Sequence, residues 1–301
     1  MTLDLTAIRA GVRLAMFDTL GSTNAEALAR ARSGERGPLW IMARQQTAGR
    51  GRRGRTWVSE PGNLYATLLV TDPSPPPRAA ELSFVAALAV KDALADIAPA
   101  LAAPASISDS SCAGLTRASI TRNKSTPTMD YRVGPSPDDP ESLPPPSAAG
   151  GRRLSLKWPN DLLLDGAKVA GILVEGESGP PLAAAIGIGV NCAHHPDAVA
   201  YPATDLAAAG VAATPERVLM LLSRTMLTRL AQWDRGAGFA AIRADWLRQA
   251  AGVGGYIRVS IGDEALAGRF AGLDAAGHLV LELADGTART VPAGDAFPVP
   301  A

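Results

Sequence analysis

Apolar and polar positions fall along this chain in blocks whose period changes, and the changes mark its elements. "TLGSTNAEALARARSG" (19–34) sets Ser22, Thr23 and Asn24 ahead of an alanine-rich run closed by Gly34, which predicts a short helix with a polar cap. "LWIMARQQ" (39–46) and "NLYATLLV" (63–70) are apolar runs of strand composition, so the segment joining them reads as a loop. "AAELSFVAALAVKDALADIA" (79–98) has helical spacing. "RLSLKWPNDLLLDGAKVAGILVEGE" (153–177) reads as a strand, a tight Trp-Pro-Asn-Asp turn and a hairpin through Asp165-Gly166. "AAAIGIGVN" (183–191) is a further strand. "TPERVLMLLSRTMLTRLAQW" (214–233) opens on Thr-Pro with Glu216 and is a long amphipathic helix, followed by another in "GFAAIRADWLRQA" (238–250).

Two stretches break this rhythm. Serine, threonine and proline dominate residues 102–151, which include "PSPDDPESLPPP". So few large apolar side chains cannot offset the entropy of ordering the segment, and it reads as a disordered insertion without an assigned role. After about Gly252, short runs separated by "GD", "DAAG" and "DG" spell a small all-β module of about five strands. The expected division is therefore 1–251, carrying the insertion, and 252–301. No internal repeat is evident.

Charge narrows the partners. Lysine plus arginine number 29 against 29 aspartate plus glutamate, a net charge of zero. A broad nucleic-acid face needs excess positive charge, so an anion bound here is expected to be small. The two cysteines, Cys112 and Cys192, lack disulfide-framework or metal spacing. The first residues do not read as a secretion signal, and no apolar run reaches the roughly 20 residues that span a bilayer. A soluble cytoplasmic protein is the expectation. His194 and His195 are neighbours, read as pointing apart on a strand at the polar surface, and His278 falls in the β module.

Between the first two strands stands "GRGRRGR" (49–55), four arginines and three glycines in seven positions. Glycines let backbone amides approach a ligand, and guanidinium groups offer paired donors to carboxylate or phosphate. The same letters suit a solvated basic loop or an RNA-binding tail, although such tails repeat and sit in disordered sequence. Lys157, at the end of an apolar strand before Pro159, can bring a mobile charge to a reacting oxyanion or simply remain solvated. There is no Gly-Lys-Ser/Thr phosphate loop and no serine in a nucleophile-elbow sequence.

Taken in order, "STN" (22–24), "QTAGRGRRGRTW" (46–57), "KWPNDLLLDGAKVAGILVE" (157–175) and "GIGVN" (187–191) resemble the biotin protein ligases. The resemblance spans roughly 15–248, with the terminal β module a further match. It implies an α+β fold, a mixed β-sheet flanked by helices with a C-terminal SH3-like barrel. It also implies a two-step activity: biotin and MgATP give biotinyl-5′-AMP, and a lysine of a biotin carboxyl carrier domain of acetyl-CoA carboxylase, or a related carboxylase, then takes the acyl group. Carried over, Ser22, Thr23 and Gln46 would bond the ureido head, with Asn24 beside them. Arg50, Gly51 and Arg52 would close over the carboxylate and adenylate, and Arg55 would face ATP phosphates. Trp57 would pack by the loop or the adenine. Lys157 would hold the reacting oxygens, and Asn191 with Gly187 and Gly189 would line the nucleotide side. Asn160 and Asp161 would shape the turn rather than touch substrate.

Two departures qualify the match. Only about 15 residues precede the first core segment, leaving no room for the DNA-binding domain of repressor-type ligases, so no DNA partner is expected. The end, "AGDAFPVPA", lacks the basic residue often found after the Gly-Asp/Glu pair, which removes one basis for contact between the terminal module and ATP. A homodimer is left open. A lipoate or octanoate ligase is the nearest alternative, but a straight acyl chain has no use for the Ser22/Thr23/Gln46 corner. An RNA-binding module, the other alternative, sits poorly with zero net charge.

Overall fold

The computed structural model describes residues 2–73, 76–102, 153–179, 182–197, 201–261 and 264–298. All of the expected insertion but residue 102 lies outside them. The chain opens with a short helix α1 (Leu5–Arg9) and a strand β1 (Arg13–Leu20), neither anticipated from the sequence. Then come α2 (Thr23–Arg32), β2 (Leu39–Gln46), β3 (Leu64–Thr71) and α3 (Leu82–Ile97). Four strands come next: β4 (Leu154–Lys157), β5 (Asp161–Leu164), β6 (Ala167–Glu177) and β7 (Ala183–Val190). After them stand α4 (Pro215–Trp233) and α5 (Phe239–Leu247).

These strands form a seven-stranded sheet in the order β1-β2-β3-β7-β6-β5-β4. Only β1 and β2 pair in parallel; the remaining neighbours are antiparallel, and β5 and β6 are joined by the tight Asp165-Gly166 hairpin. Both turn residues there have left-handed backbone angles, φ 51° and 83°, which match the twist of the flanking strands. The sheet is mixed, as expected.

Side chains alternate across the sheet, and each face has its own cover. Leu64, Ala66 and Leu68 of β3 and Ile186 and Ile188 of β7 belong to the larger core with α3 and α4. Helix α3 is apolar almost all round, from Leu82 through Leu94, because the sheet lies on one side and α4 on the other. Thr214 caps α4 by accepting from the Arg217 amide, Pro215 occupies its first turn and Glu216 meets the positive end of its dipole. On the opposite face Ile41, Leu69 and Ala185 pack against Ala27 and Ala31 of α2. That helix covers only one end, and the uncovered remainder of this face carries a large cavity.

The last residues build a second sheet, antiparallel throughout. Strands β8 (Tyr256–Ile261), β9 (Glu264–Leu273), β10 (Leu279–Glu282), β11 (Ala288–Val291) and β12 (Asp295–Pro298) take the order β11-β10-β9-β8-β12. Its buried residues, Ile257, Val259, Phe270 and Leu279 among them, join the core of α3 and α4. The Trp158 indole, beside the β4–β5 turn, donates to the Gly277 carbonyl at 3.2 Å and ties the two sheets together.

Candidate active site

A cavity of about 670 Å³ opens on the face of the large sheet beyond α2. Its floor is made of strand positions without side chains. Gly171 of β6 and Gly189 of β7 are direct cross-strand partners, and Gly187 lies two residues before Gly189 on the same face. A Cβ on Gly189 would stand 2.7 Å from the Trp57 indole, and one on Gly187 would stand 2.3 Å from Asn24 Oδ1. Both are closer than real Cβ contacts, so the glycines are what seat these two side chains.

One end of the cavity is a corner of neutral hydrogen-bonding groups. Ser22 caps α2 by accepting from the Ala25 amide, which places Thr23 and Asn24 in the first turn, both 4% exposed. Gln46, at the end of β2, accepts from the Thr23 amide at 2.8 Å through Oε1, which also stands 3.1 Å from the Thr23 hydroxyl, and donates to Ser59 Oγ at 3.0 Å. The four residues 22–24 and 46, separate in sequence, line one wall.

The other end is cationic. The loop between β2 and β3 folds back on itself through an Arg50–Thr56 bridge, and the Gly51 amide donates to the Arg55 carbonyl at 2.7 Å. Arg52 donates to Asn160 Oδ1 at 3.2 Å and to the Gly294 carbonyl at 3.1 Å. Asp295 of the second sheet stands 3.5 Å from Arg52 and Arg53 and 2.9 Å from Arg55, while Arg50 pairs with Glu175 at 3.1 Å. Burial lowers the Arg52 pKa and Asp295 and Asp161 oppose it; a guanidinium keeps its charge at neutral pH. Trp57 lies across the glycine floor under the Lys168 ammonium, 5.3 Å from its ring.

Two lysines share one carboxylate here. Lys157, 7% exposed, reaches Asp161 Oδ2 at 3.2 Å and sits 4.7 Å from the Tyr201 ring and 5.1 Å from that of Phe297. Lys168, more open to the cavity, reaches Asp161 Oδ1 at 2.6 Å. Burial pushes the Asp161 carboxyl up, but the two ammonium groups outweigh it and hold it below its ordinary value. Asn191 lines the cavity with its amide committed to the Thr204 carbonyl at 3.0 Å.

Every residue singled out in the sequence, Ser22, Thr23, Asn24, Gln46, Arg50, Gly51, Arg52, Arg55, Trp57, Lys157 and Asn191, lines this one cavity. Several that were not singled out do so too. Lys168 stands in the sequence two residues past the Asp165-Gly166 turn, and strand register brings it to Asp161. Asn160 and Asp161, expected to shape their turn rather than touch substrate, also face the cavity. The terminal sheet contributes Asp295 and Phe297, although it lacks the basic residue sought there. The reading of His194 and His195 as strand-borne surface residues is corrected: β7 ends at Val190, and both line the cavity from the loop after it. There His195 meets Asp205 at 2.6 Å and His194 meets the Pro61 carbonyl at 3.1 Å.

Comparison with known proteins agrees with this geometry. Residues 19–191 match the biotin/lipoate A/B protein ligase family, and 256–297 match the biotin protein ligase C-terminal domain. A biotin–[acetyl-CoA-carboxylase] ligase of Paracoccus denitrificans is 39% identical over 290 residues, covering 94% of this chain and 99% of its own. One from Mycobacterium tuberculosis is 32% identical, covering 91% and 85%. In fold, the chain resembles the biotin protein ligase of Aquifex aeolicus in complex with biotin and ATP. The TM-score is 0.66, at 21% identity and with 95% and 97% of the two chains covered. A family model matching more than half the chain, a relative sharing nearly its whole length and a cavity assembled from the motif residues lead to one statement: the chain belongs to the biotin/lipoate A/B protein ligase family.

Proposed function

We infer that this chain is an ATP-dependent biotin protein ligase. It activates biotin as biotinyl-5′-AMP and passes the acyl group to a lysine of a biotin carboxyl carrier domain of acetyl-CoA carboxylase or a related carboxylase. The observation that carries this reading is a single cavity with two chemically opposite ends, a neutral hydrogen-bonding corner and a cationic clasp, joined by a floor of glycine positions on which the Trp57 indole lies. The corner suits a urea, whose N–H and C=O groups need partners once buried; each one left unpaired costs about 1–3 kcal/mol. The floor accepts an apolar ring and chain. The clasp receives the carboxylate.

In the first step a carboxylate oxygen attacks the α-phosphorus and pyrophosphate leaves. The reactants are both anionic, and fixed cations suppress their repulsion. Arg52, largely buried and held by Asn160 and the Gly294 carbonyl, is pre-aimed for this. Lys168 and Lys157 supply charge from across the cleft, Lys168 at the more accessible position. Arg50 and Gly51 cover the acid, Arg55 faces the leaving phosphates, and Trp57 and Asn191 flank the nucleotide. In the second step the carrier's neutral amine attacks the acyl carbon, the C–O bond to phosphate breaks, AMP departs and the nitrogen releases a proton to water. No side-chain nucleophile is required. Mg²⁺ would enter as MgATP and shield the phosphate charge; among the described residues there is no group of three or more acidic, histidine or cysteine side chains that could hold a metal.

The test is direct. Purified protein is incubated with MgATP and either biotin or lipoate, the products are weighed by mass spectrometry, and a carrier domain is then added. Biotinyl-AMP followed by a biotinylated carrier is expected; lipoyl-AMP alone, or no adenylate with either acid, refutes the reading.

A further inference from the structure

Thr67 is absent from the cavity wall and from the motifs, yet it sits completely buried in the middle of β3, behind the polar corner. Its hydroxyl lies 2.6 Å from Asn24 Oδ1 and 2.8 Å from Thr23 Oγ1. Strand β3 is central to the sheet, where a β-branched apolar residue would pack well; a threonine at zero exposure needs a polar reason.

Counting protons supplies it. Asn24 Nδ2 donates to the Leu173 carbonyl at 3.2 Å and to Glu175 Oε2 at 2.8 Å, both acceptors. That fixes the carboxamide with Oδ1 toward Thr67. A hydroxyl has one proton, and Thr67 spends its own on Asn24 Oδ1. It can then only accept from Thr23. The one other hydrogen-bonding neighbour of the Thr23 hydroxyl among the described residues, Gln46 Oε1, is also an acceptor and already receives the Thr23 amide. Gln46 cannot turn its amine round, because Nε2 is spent on Ser59 Oγ, whose own proton goes to the Trp57 carbonyl at 3.0 Å. Thr23 Oγ1 therefore gives its proton to the protein and shows the cavity lone pairs alone.

We propose that Thr67 is a positioning residue that sets the polarity of the recognition corner: by taking the Thr23 proton and giving its own to Asn24, it makes Thr23 an obligate acceptor, selective for an acid whose head presents an N–H. This deepens the biotin reading and rests on it. A urea satisfies such an acceptor; a cyclic disulfide head of similar bulk has no proton to give and leaves it bare, the kind of loss by which a hydrogen-bonding site rejects an analogue. Without the Thr67 hydroxyl, Asn24 Oδ1 loses its donor and the Thr23 proton is held only by the long contact to Gln46, free to turn toward the ligand.

The experiment measures biotin binding by calorimetry, KM for biotin and for ATP, kcat and melting temperature for wild type, Thr67→Val, Thr67→Ser, Thr23→Val and the Thr23→Val/Thr67→Val double variant. Thr67→Val should weaken biotin about tenfold, with ATP KM and kcat within about twofold, and Thr67→Ser should restore it. The double variant should bind as Thr23→Val does, because Thr67 acts through Thr23. Should valine not be accommodated, Thr67→Ala removes the same proton. Biotin affinity unchanged in the folded valine or alanine variant overturns the proposal. So do multiplying effects in the double variant, or an equal rise in ATP KM, either of which marks a merely structural role. Wild type that fails to bind biotin overturns the parent reading; wild type that binds with an insensitive Thr67 overturns this inference alone.

Discussion

Asp161 shows most plainly what one side chain decides here. It is the shared counter-ion of Lys157 and Lys168, and its carboxyl is held below its ordinary value against the pull of burial. The native state therefore binds fewer protons than the unfolded chain at acidic pH. The stability Asp161 contributes is present above about pH 4, the ordinary carboxylate value, and is lost as pH falls through its lower native value. Melting temperature tracked from pH 5 to pH 3 should fall more steeply in wild type than in Asp161→Asn; parallel curves would contradict this. The two lysines should separate in the same assay. Lys168→Ala removes a cavity-facing charge and should cut adenylation by about 10²–10³; it also takes one of the two cations from Asp161, but at the more accessible position, where water reaches the vacated oxygen, so it should lower melting less than the Lys157 change does. Lys157→Ala empties a buried position between Asp161, Tyr201 and Phe297, so it should also cost about 3 kcal/mol of stability, the scale for stranding a buried partner. Equal melting of the two variants would refute the distinction. Ser22, Thr23 and Gln46 were legible in the sequence because polar residues at a helix start and a strand end stand out against apolar runs. Lys168 and Thr67 were not, because their meaning lies in partners on other strands. The Lys168 position opposite Leu163, one step past a register shift, is a fact of pairing that no local pattern carries.

At the scale of elements, long periodic segments were readable and short mixed ones were not. Helices α3 and α4 and strands β2, β3, β6 and β7 announce themselves by apolar spacing. β1 does not, because it is an edge strand with apolar residues on both sides: Leu14 packs toward the larger core, Ala15 and Phe17 toward α2, and no period of two survives. The arginine loop was recognised by composition, but what holds it was hidden. Three of its four arginines, 52, 53 and 55, converge on Asp295, more than two hundred residues away. Arg53 and Arg55 are the exposed members, and pairs of that kind contribute under about 1 kcal/mol each, so their share of the anchor is a bias rather than a lock. Asp295→Asn should therefore leave the fold intact while trypsin cleaves at Arg53 and Arg55 several times faster, with MgATP and biotin together restoring protection. Cleavage at the wild-type rate would show that the loop is held by its own backbone bonds alone.

At the scale of the whole molecule, composition places a boundary near Gly252 and makes residues 252–301 a separate module. Its contacts join this separate sheet to the core of the rest of the chain, and a truncation decides how far the rest depends on it. Trp158 is 2% exposed and Phe84 4%, and both owe part of that to the turn at Gly277: one donates to its carbonyl, and a Cβ there would stand only 2.9 Å from the Phe84 ring. Ile257, Val259, Phe270 and Leu279 meanwhile complete the core of α3 and α4. Returning a large apolar side chain to water costs about 1.5–3 kcal/mol, against a total stability of about 5–15 kcal/mol for a typical domain, so baring two aromatic rings and the adjoining wall consumes much of the margin. The same cut removes Asp295 and Phe297 from the cavity, leaving the arginines without their anchor and Lys157 without one of its rings. A chain ending at residue 251 is thus expected to melt at least 10 °C below the full-length protein, or to be recovered aggregated, and to form no biotinyl-AMP even where the full-length protein does. Calorimetry of the two chains side by side, with adenylate formation read by mass, makes the comparison. A truncated chain that melts with the full-length one and still makes the adenylate would mean that the second sheet is an appendage, and that the cationic end of the cavity is complete without it.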